Sequence, residues 1–227
     1  AEQEYQNWLK SGQNDLNEIL TGDRNAQQIA DASLKFVAQY LNAHVGITYV
    51  SNLKNKYKLK GTYGFESYGD QKDSFKSGEG TLGQAVLDGE THVMDPAPMG
   101  YLKVGSGLGE KDAVSIIVKP LVFEKETVGL IELAFLRRID SKIEDLLESV
   151  SPTIAAAINS AITRDKVNEL LVTTQEQSEK MREQQEKLTE VNEELEAQQE
   201  ELRQANEELQ EQTLQLQQSE EELRTQQ

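Results

Sequence analysis

Cysteine is absent from all 227 residues. That excludes a disulfide, a thiolate nucleophile and a thiolate metal site, and it fits a reducing compartment such as the cytosol. Long apolar runs are missing too. No stretch approaches the roughly 18 consecutive apolar residues of a membrane span, and no secretory signal pattern occurs, so the expectation is a chain that neither crosses a membrane nor carries such a signal. Basic residues are in the minority, 23 Lys and Arg against 40 Asp and Glu, for a net charge of −17, which argues against nucleic acid as a partner. Glycine and aromatic residues are absent from the C-terminal part: all 15 glycines lie at or before Gly129, and the last aromatic is Phe135. Turns and bulky core residues therefore belong to the first part, which is long enough for one ordinary domain.

The polar C-terminal part has a period. Met181, Leu188, Leu195, Leu202, Leu209, Leu216 and Leu223 recur every seven residues, the spacing that keeps one seam of a helix facing a partner. With the leucines at d, the a positions are Asn192, Gln199, Asn206, Thr213 and Glu220. Asn at a fixes register and favours two parallel strands at a cost in stability. The opposite frame would place Val191, Gln198, Ala205, Gln212 and Ser219 beside the leucines. Either frame leaves one strong apolar residue per heptad, so the seam is thin. The sequence predicts a parallel two-stranded coiled coil over 166–227, with 17 acidic and 6 basic residues after Asp165. A solvated charged helix or a disordered Glu/Gln tract is the plainer reading of the same composition.

Upstream, Tyr5, Leu9, Gly12, Leu16 and Ile19 make a helical stripe that Thr21-Gly22-Asp23 ends. This connecting helix, 1–21, either packs on its own domain or enters a dimer axis. A globular domain is expected over 22–165. Ala30, Leu34, Val37 and Leu41 form one face of a second helix. Val45, Ile47 and Tyr49 alternate with polar or small residues as a strand, and 56–63 forms another with a lysine-rich face. A glycine turn, Ser77-Gly-Glu-Gly-Thr81, opens a short helix that Asp88-Gly89 closes. A brief strand at Val93 and Met94, a glycine-rich loop over 99–111 and a hairpin of strands 113–123 and 127–135 follow. Asp140 is a good N-cap for a final helix, and Pro152 suits a helix start or a kink.

This order, with Phe75-Lys-Ser-Gly-Glu-Gly-Thr-Leu-Gly-Gln-Ala-Val86, Val118-Lys-Pro-Leu121, Val128-Gly-Leu-Ile-Glu-Leu133 and Ile154-Ala-Ala-Ala-Ile158-Asn159, resembles a GAF domain over about 24–162. The Met99–Glu110 segment and the Glu-Glu-Leu repeats further resemble the GAF-plus-coiled-coil region of bacterial, often hybrid, sensor histidine kinases. The resemblance implies an α+β fold: an antiparallel sheet of about six strands with flanking helices, followed by the parallel two-stranded coiled coil. It also implies a small-molecule pocket on one face, a homodimer along the terminal helices, a kinase domain downstream in the same chain, and membrane contact only through segments outside this sequence. The expected location is the cytoplasmic part of a membrane-bound receptor. Ala1 and an end in mid-heptad are what a piece of a longer protein would show.

The residues offer no recognisable catalytic constellation. Glu222-Leu-Arg-Thr225 echoes a phosphoacceptor box, but the two histidines are His44 and His92, far upstream. Gly105-x-Gly-x-Gly fits neither phosphate-loop pattern. Asn55-Lys56 begins like the cyclic-nucleotide GAF signature, whose later Phe and acidic pair are missing. Bilin attachment and methionine-sulfoxide reduction in this family need cysteine. No cofactor and no metal site is evident, which leaves an unidentified small-molecule effector. The implied pocket would be walled by Tyr63, Phe65, Tyr68, Val93, Met94, Met99, Tyr101, Leu108, Ser115 and Ile117; alternatively these residues fill the core over a degenerate cavity. Glu132, in an otherwise apolar strand, either anchors a donor or faces solvent. The leading expectation is a non-catalytic sensory and relay module of two-component signalling, and the rival is a ligand-free dimerisation spacer.

Overall fold

The computed structural model describes residues 2–52, 55–65, 73–106 and 109–225, with side chains to Gln218. Tertiary contacts divide the chain into two units, Ala1–Val167 and Asn168–Gln227.

The first unit is built on a sheet. Helix α1 (Glu2–Leu20) is followed by α2 (Ala26–Tyr40), β1 (Val45–Ser51), β2 (Lys56–Tyr63), β3 (Ser74–Lys76) and α3 (Gly80–Asp88). Then come β4 (His92–Met94), β5 (Lys103–Ser106), β6 (Gly109–Asp112), β7 (Ser115–Phe123), β8 (Glu126–Phe135) and α4 (Ser141–Thr225). Six strands pair in the order β3-β2-β1-β8-β7-β4, and β5 pairs with β6 as a separate hairpin. All the pairings are antiparallel.

Alternation along the central strands sorts side chains into two layers. On one face Ile131, Leu133 and Phe135 join α1, α2 and the first turns of α4, with Leu16, Leu34, Val37, Ile143, Leu146, Leu147 and Ile154 fully buried. On the other face Leu130 and Ala134 join Val45, Ile47, Tyr49, Ile116 and Val118 under α3, with Ala85 and Val86. Because both faces are covered, β7 and β8 read as nearly unbroken apolar runs. Pro120 fits inside β7 because β4 covers only Ile116 to Val118, so β7 is a local edge at the proline.

Local chemistry fixes the elements. Asn25 and Gln28 form a reciprocal capping box at the start of α2, at 2.9 and 3.0 Å. Asp140 accepts from the Ile143 amide at 3.1 Å and starts α4. Gly89 ends α3 at φ 70°, a left-handed conformation that glycine adopts without a Cβ penalty. Gly83 lets α3 approach the preceding turn: a Cβ there would lie 2.5 Å from the Lys76 carbonyl oxygen.

α1 packs on its own domain. Leu16 and Gly12 are buried, Trp8 lies 5.2 Å from Tyr40 ring to ring, and the Tyr40 hydroxyl donates to the Trp8 carbonyl at 2.7 Å. Tyr5 donates to the Asp145 carboxylate on α4, which pushes the phenol up to about 12. Pro152 falls inside α4 rather than at a boundary. It removes one helical amide, and next to it the Ser151 hydroxyl donates to the Leu147 carbonyl. Among the described residues no helix is long and apolar enough to cross a membrane.

The second unit is the remainder of α4. Every described side chain from Thr163 to Gln218 is exposed. The seam residues run from 49% exposed at Leu195 to 67% at Leu216. Arg203 binds Glu200 at 2.7 Å and Glu207 at 2.6 Å, and its bond to Glu200 lowers that carboxyl.

Candidate functional site

On the face of the sheet that carries α3 lies a cavity of about 580 Å³. Its floor is the sheet itself: Ile47 and Tyr49 of β1 and Glu132 of β8, with Glu132 registered between Ile47 and Val118. Phe75 of β3 and Phe65 close one side, and Phe75 meets Tyr49 edge-on at 5.0 Å. The first residues of α3, Gly80, Thr81 and Leu82, with Glu79 before them, form another wall. The approach to β5, residues Gly100 to Lys103, forms the last.

Each wall is held by its own bonds. The Thr127 hydroxyl donates to the Val86 carbonyl at 2.9 Å, and the Tyr57 hydroxyl to the Thr127 carbonyl at 2.7 Å, so α3 is fastened to the sheet. The Glu79 carboxylate accepts from the Lys76 amide at 3.0 Å and fixes the turn before α3. The loop wall hangs on the Ala113 amide, which donates to Leu102 at 2.9 Å, and on the Lys103 to Glu110 ion pair at 3.0 Å. Across the cavity the hydroxyls of Thr81 and Tyr101 stand 2.8 Å apart, tying α3 to the loop.

Glu132 is the distinctive group. Its residue is 8% exposed, it has no hydrogen-bond or ion-pair partner among the described residues, and burial alone pushes its carboxyl up to about 7. Burial raises the Tyr101 phenol as well; the Thr81 hydroxyl opposes that shift and the Glu132 charge adds to it. The site therefore offers aromatic and aliphatic walls with one buried acid. Among the described residues no group of three or more His, Asp or Glu side chains is placed to hold a metal ion.

The residues expected as pocket walls fall in several places. Phe65 and Tyr101 line the cavity. Met94 packs against the same apolar layer, while Val93 is 42% exposed and Met99 is 95% exposed. Tyr63 and Ile117 pack with the layer on the opposite face. The Ser115 hydroxyl is occupied by the Arg137 carbonyl at 2.6 Å. Tyr68 and Leu108 lie outside the described residues, as does the side chain of Leu223. Ile47, Tyr49 and Phe75 also line the cavity; for the first two the signal in the sequence is the parity of β1, where Ile47 and Tyr49 alternate with Gly46 and Thr48.

Three kinds of comparison bear on this geometry. No curated protein matches the chain. Among solved structures, the GAF domain of a phosphoenolpyruvate-protein phosphotransferase from Coxiella burnetii superposes with a TM-score of 0.56 at 18% identity, covering 70% of this chain and 96% of that one. The A. aeolicus nlh2 GAF domain in an inactive state gives 0.52 at 18% identity, covering 71% and 99%. Free methionine-R-sulfoxide reductase from Neisseria meningitidis, in complex with its substrate, gives 0.52 at 15% identity, covering 70% and 91%. At these identities the likeness establishes the fold alone. The sequence profile described as GAF domain matches residues 23–159, more than half of the chain, and the chain belongs to the GAF domain family.

Proposed function

We propose that this chain is a non-catalytic sensory and relay module of a sensor histidine kinase, in which a small molecule in the cavity changes the packing of α4. One observation carries the reading. Strand β8 belongs to both layers at once: Glu132 lines the cavity, while its neighbours Ile131 and Leu133 pack in the same apolar layer as Ile143, Leu146, Leu147 and Ile154 of α4. A ligand that shifts β8 acts on the helix through the thickness of one sheet, and close-packed layers transmit such a shift rather than absorb it.

The downstream part of the reading rests on the heptad leucines. Met181, Leu188, Leu195, Leu202, Leu209 and Leu216 are exposed among the described residues, and a second copy in parallel would bury them. Asn192 and Asn206 in that seam favour a marginal two-stranded pair able to hold two packings. The kinase in the same chain, the cytoplasmic location and a membrane reached only through other segments follow from the resemblance to sensor kinases. Sulfoxide reduction of the kind named for the Neisseria protein is not part of the reading, because the chain has no cysteine to carry it.

Native mass spectrometry of the purified chain is the test. A dimer carrying one small-molecule adduct per chain supports the sensor, a bare dimer favours the rival spacer, and a monomer contradicts the paired helix.

A further inference from the structure

We propose that the cavity takes a small organic cation, a protonated amine or amidine on an apolar or aromatic body, with the Glu132 carboxylate pairing its charge. The inference rests on the sensory reading of the cavity and adds the class of ligand.

The placement of Glu132 is the first argument. It stands mid-strand in β8, between β1 and β7, with Leu130 and Ala134 as its neighbours on the same face. An apolar side chain would pack there at no electrostatic cost, whereas a buried carboxylate needs a partner. No donor reaches it among the described residues, and it opens onto a cavity instead of a filled core. A donor brought by the ligand supplies the missing partner, and a cationic donor makes the stronger, charge-assisted bond.

The walls argue the same way. Tyr49, Phe65, Phe75 and Tyr101 all line the cavity, and aromatic rings attract cations. An anion meets the opposite conditions. Glu79 and Glu132 are both acidic, and Lys103, the basic residue of the described lining, is already held by Glu110 at 3.0 Å. The amide end of α3 favours an anion in principle; the Glu79 carboxylate, at the N-cap position and bonded to the Lys76 amide rather than to the α3 amides, sets a negative charge beside it. A volume of about 580 Å³ lies within the range of small-molecule sites.

Four probes of similar shape separate the possibilities: 2-phenylethylamine, benzamidine, 2-phenylethanol and phenylacetate. They are titrated into the full chain and followed by saturation-transfer NMR, with amide shifts at Thr81, Tyr101 and Glu132 locating the site. The amine and the amidine are expected to bind about tenfold or more tightly than the alcohol, with phenylacetate the weakest. Glu132→Gln, checked for folding by circular dichroism, brings the amine down to the level of the alcohol, whereas Glu132→Asp retains the preference. Equal binding of amine and alcohol, preferred binding of phenylacetate, or an amine preference that survives Glu132→Gln overturns the proposed class while leaving the sensory cavity in place. Binding of none of the four also overturns the class, and the adduct in the native mass spectrum decides the sensory reading separately.

Discussion

The hydroxyls of Thr81 and Tyr101 meet at 2.8 Å across twenty residues of chain, joining the first turn of α3 to the loop that precedes β5. Both residues line the cavity, so their bond is a clasp on its rim. Tyr101→Phe removes the clasp and keeps the ring. The expected cost in stability is about 1 kcal/mol or less, with faster amide exchange over residues 98–103 and faster release of a bound probe. Hydrogen exchange read by mass spectrometry checks this, and unchanged exchange in that loop would count against the clasp.

The buried acid sets a pH dependence. In the unfolded chain the Glu132 carboxyl loses its proton near 4.5, while in the fold burial holds the proton to about 7. Folding therefore takes up a proton between those values, and stability falls as pH rises through that window, then levels off. The groups around Glu132 are Tyr49 and Tyr101, Glu79, and Lys103 held by Glu110; His92, in the same register row two strands away, is paired with Asp88 at 3.3 Å. The loss attributable to Glu132 is about 3 kcal/mol at most. Denaturant melts from pH 4.5 to 8 should show this decline in the ligand-free chain, and Glu132→Gln should be the more stable protein at pH 8. Parallel pH profiles for the two chains would show that Glu132 is not buried without a partner.

Packing of α3 yields a third expectation. A Cβ at Gly83 would stand 2.5 Å from a backbone oxygen and 3.0 Å from the Gly78 carbonyl carbon, neither of which is the end of a flexible side chain. Gly83→Ala should cost about 1–3 kcal/mol and weaken probe binding, because Gly80 to Leu82 line the cavity. Thermal melts and the NMR titration measure the two effects.

Much of this architecture is legible in the residues because it follows local rules. The stripe on α2, the alternation in β1, the turn at Gly78 to Gly80, the cap at Asp140 and the hairpin of β7 and β8 all have short-range causes. The side wall at β3 is only three residues long, too short for any periodicity, and the β5–β6 hairpin sits in a segment whose glycines read as loop. The cavity walls are harder to read. Ser115-Ile116-Ile117-Val118 is buried on both faces, so the sequence does not tell which parity faces α3; the fold turns Ile116 and Val118 to that side and Ile117 to the helices. Glu132 is the exception, since a lone acid in an apolar strand marks its position by its cost. Its two sequence-level alternatives, an anchor or a solvent-facing group, are separated by its burial on the cavity floor.

The polar seam of α4 carries a fourth expectation. Replacing Asn192 and Asn206 together by Ile removes two amides from a positions and should tighten self-association at least roughly tenfold. In an intact kinase the same change should flatten the response to signal. Sedimentation equilibrium of the two chains checks the first effect, and identical association constants would mean these positions do not face a partner.

The relay itself is tested most directly by the distance between two copies of α4 with and without an occupied cavity. A single cysteine at Ala197, on the outer face of the leucine-at-d frame, is the only thiol in a chain that otherwise has none, so a spin label attaches there alone. Two parallel helices, each about 10–12 Å across, place these positions roughly 20 Å apart before the label's own reach is added. Pulsed electron double resonance should give one short inter-protomer distance that shifts when the tightest-binding probe saturates the cavity, and the shift should vanish in Glu132→Gln. A missing dipolar signal would contradict the paired helix, and a distance unmoved by saturating probe would contradict the relay.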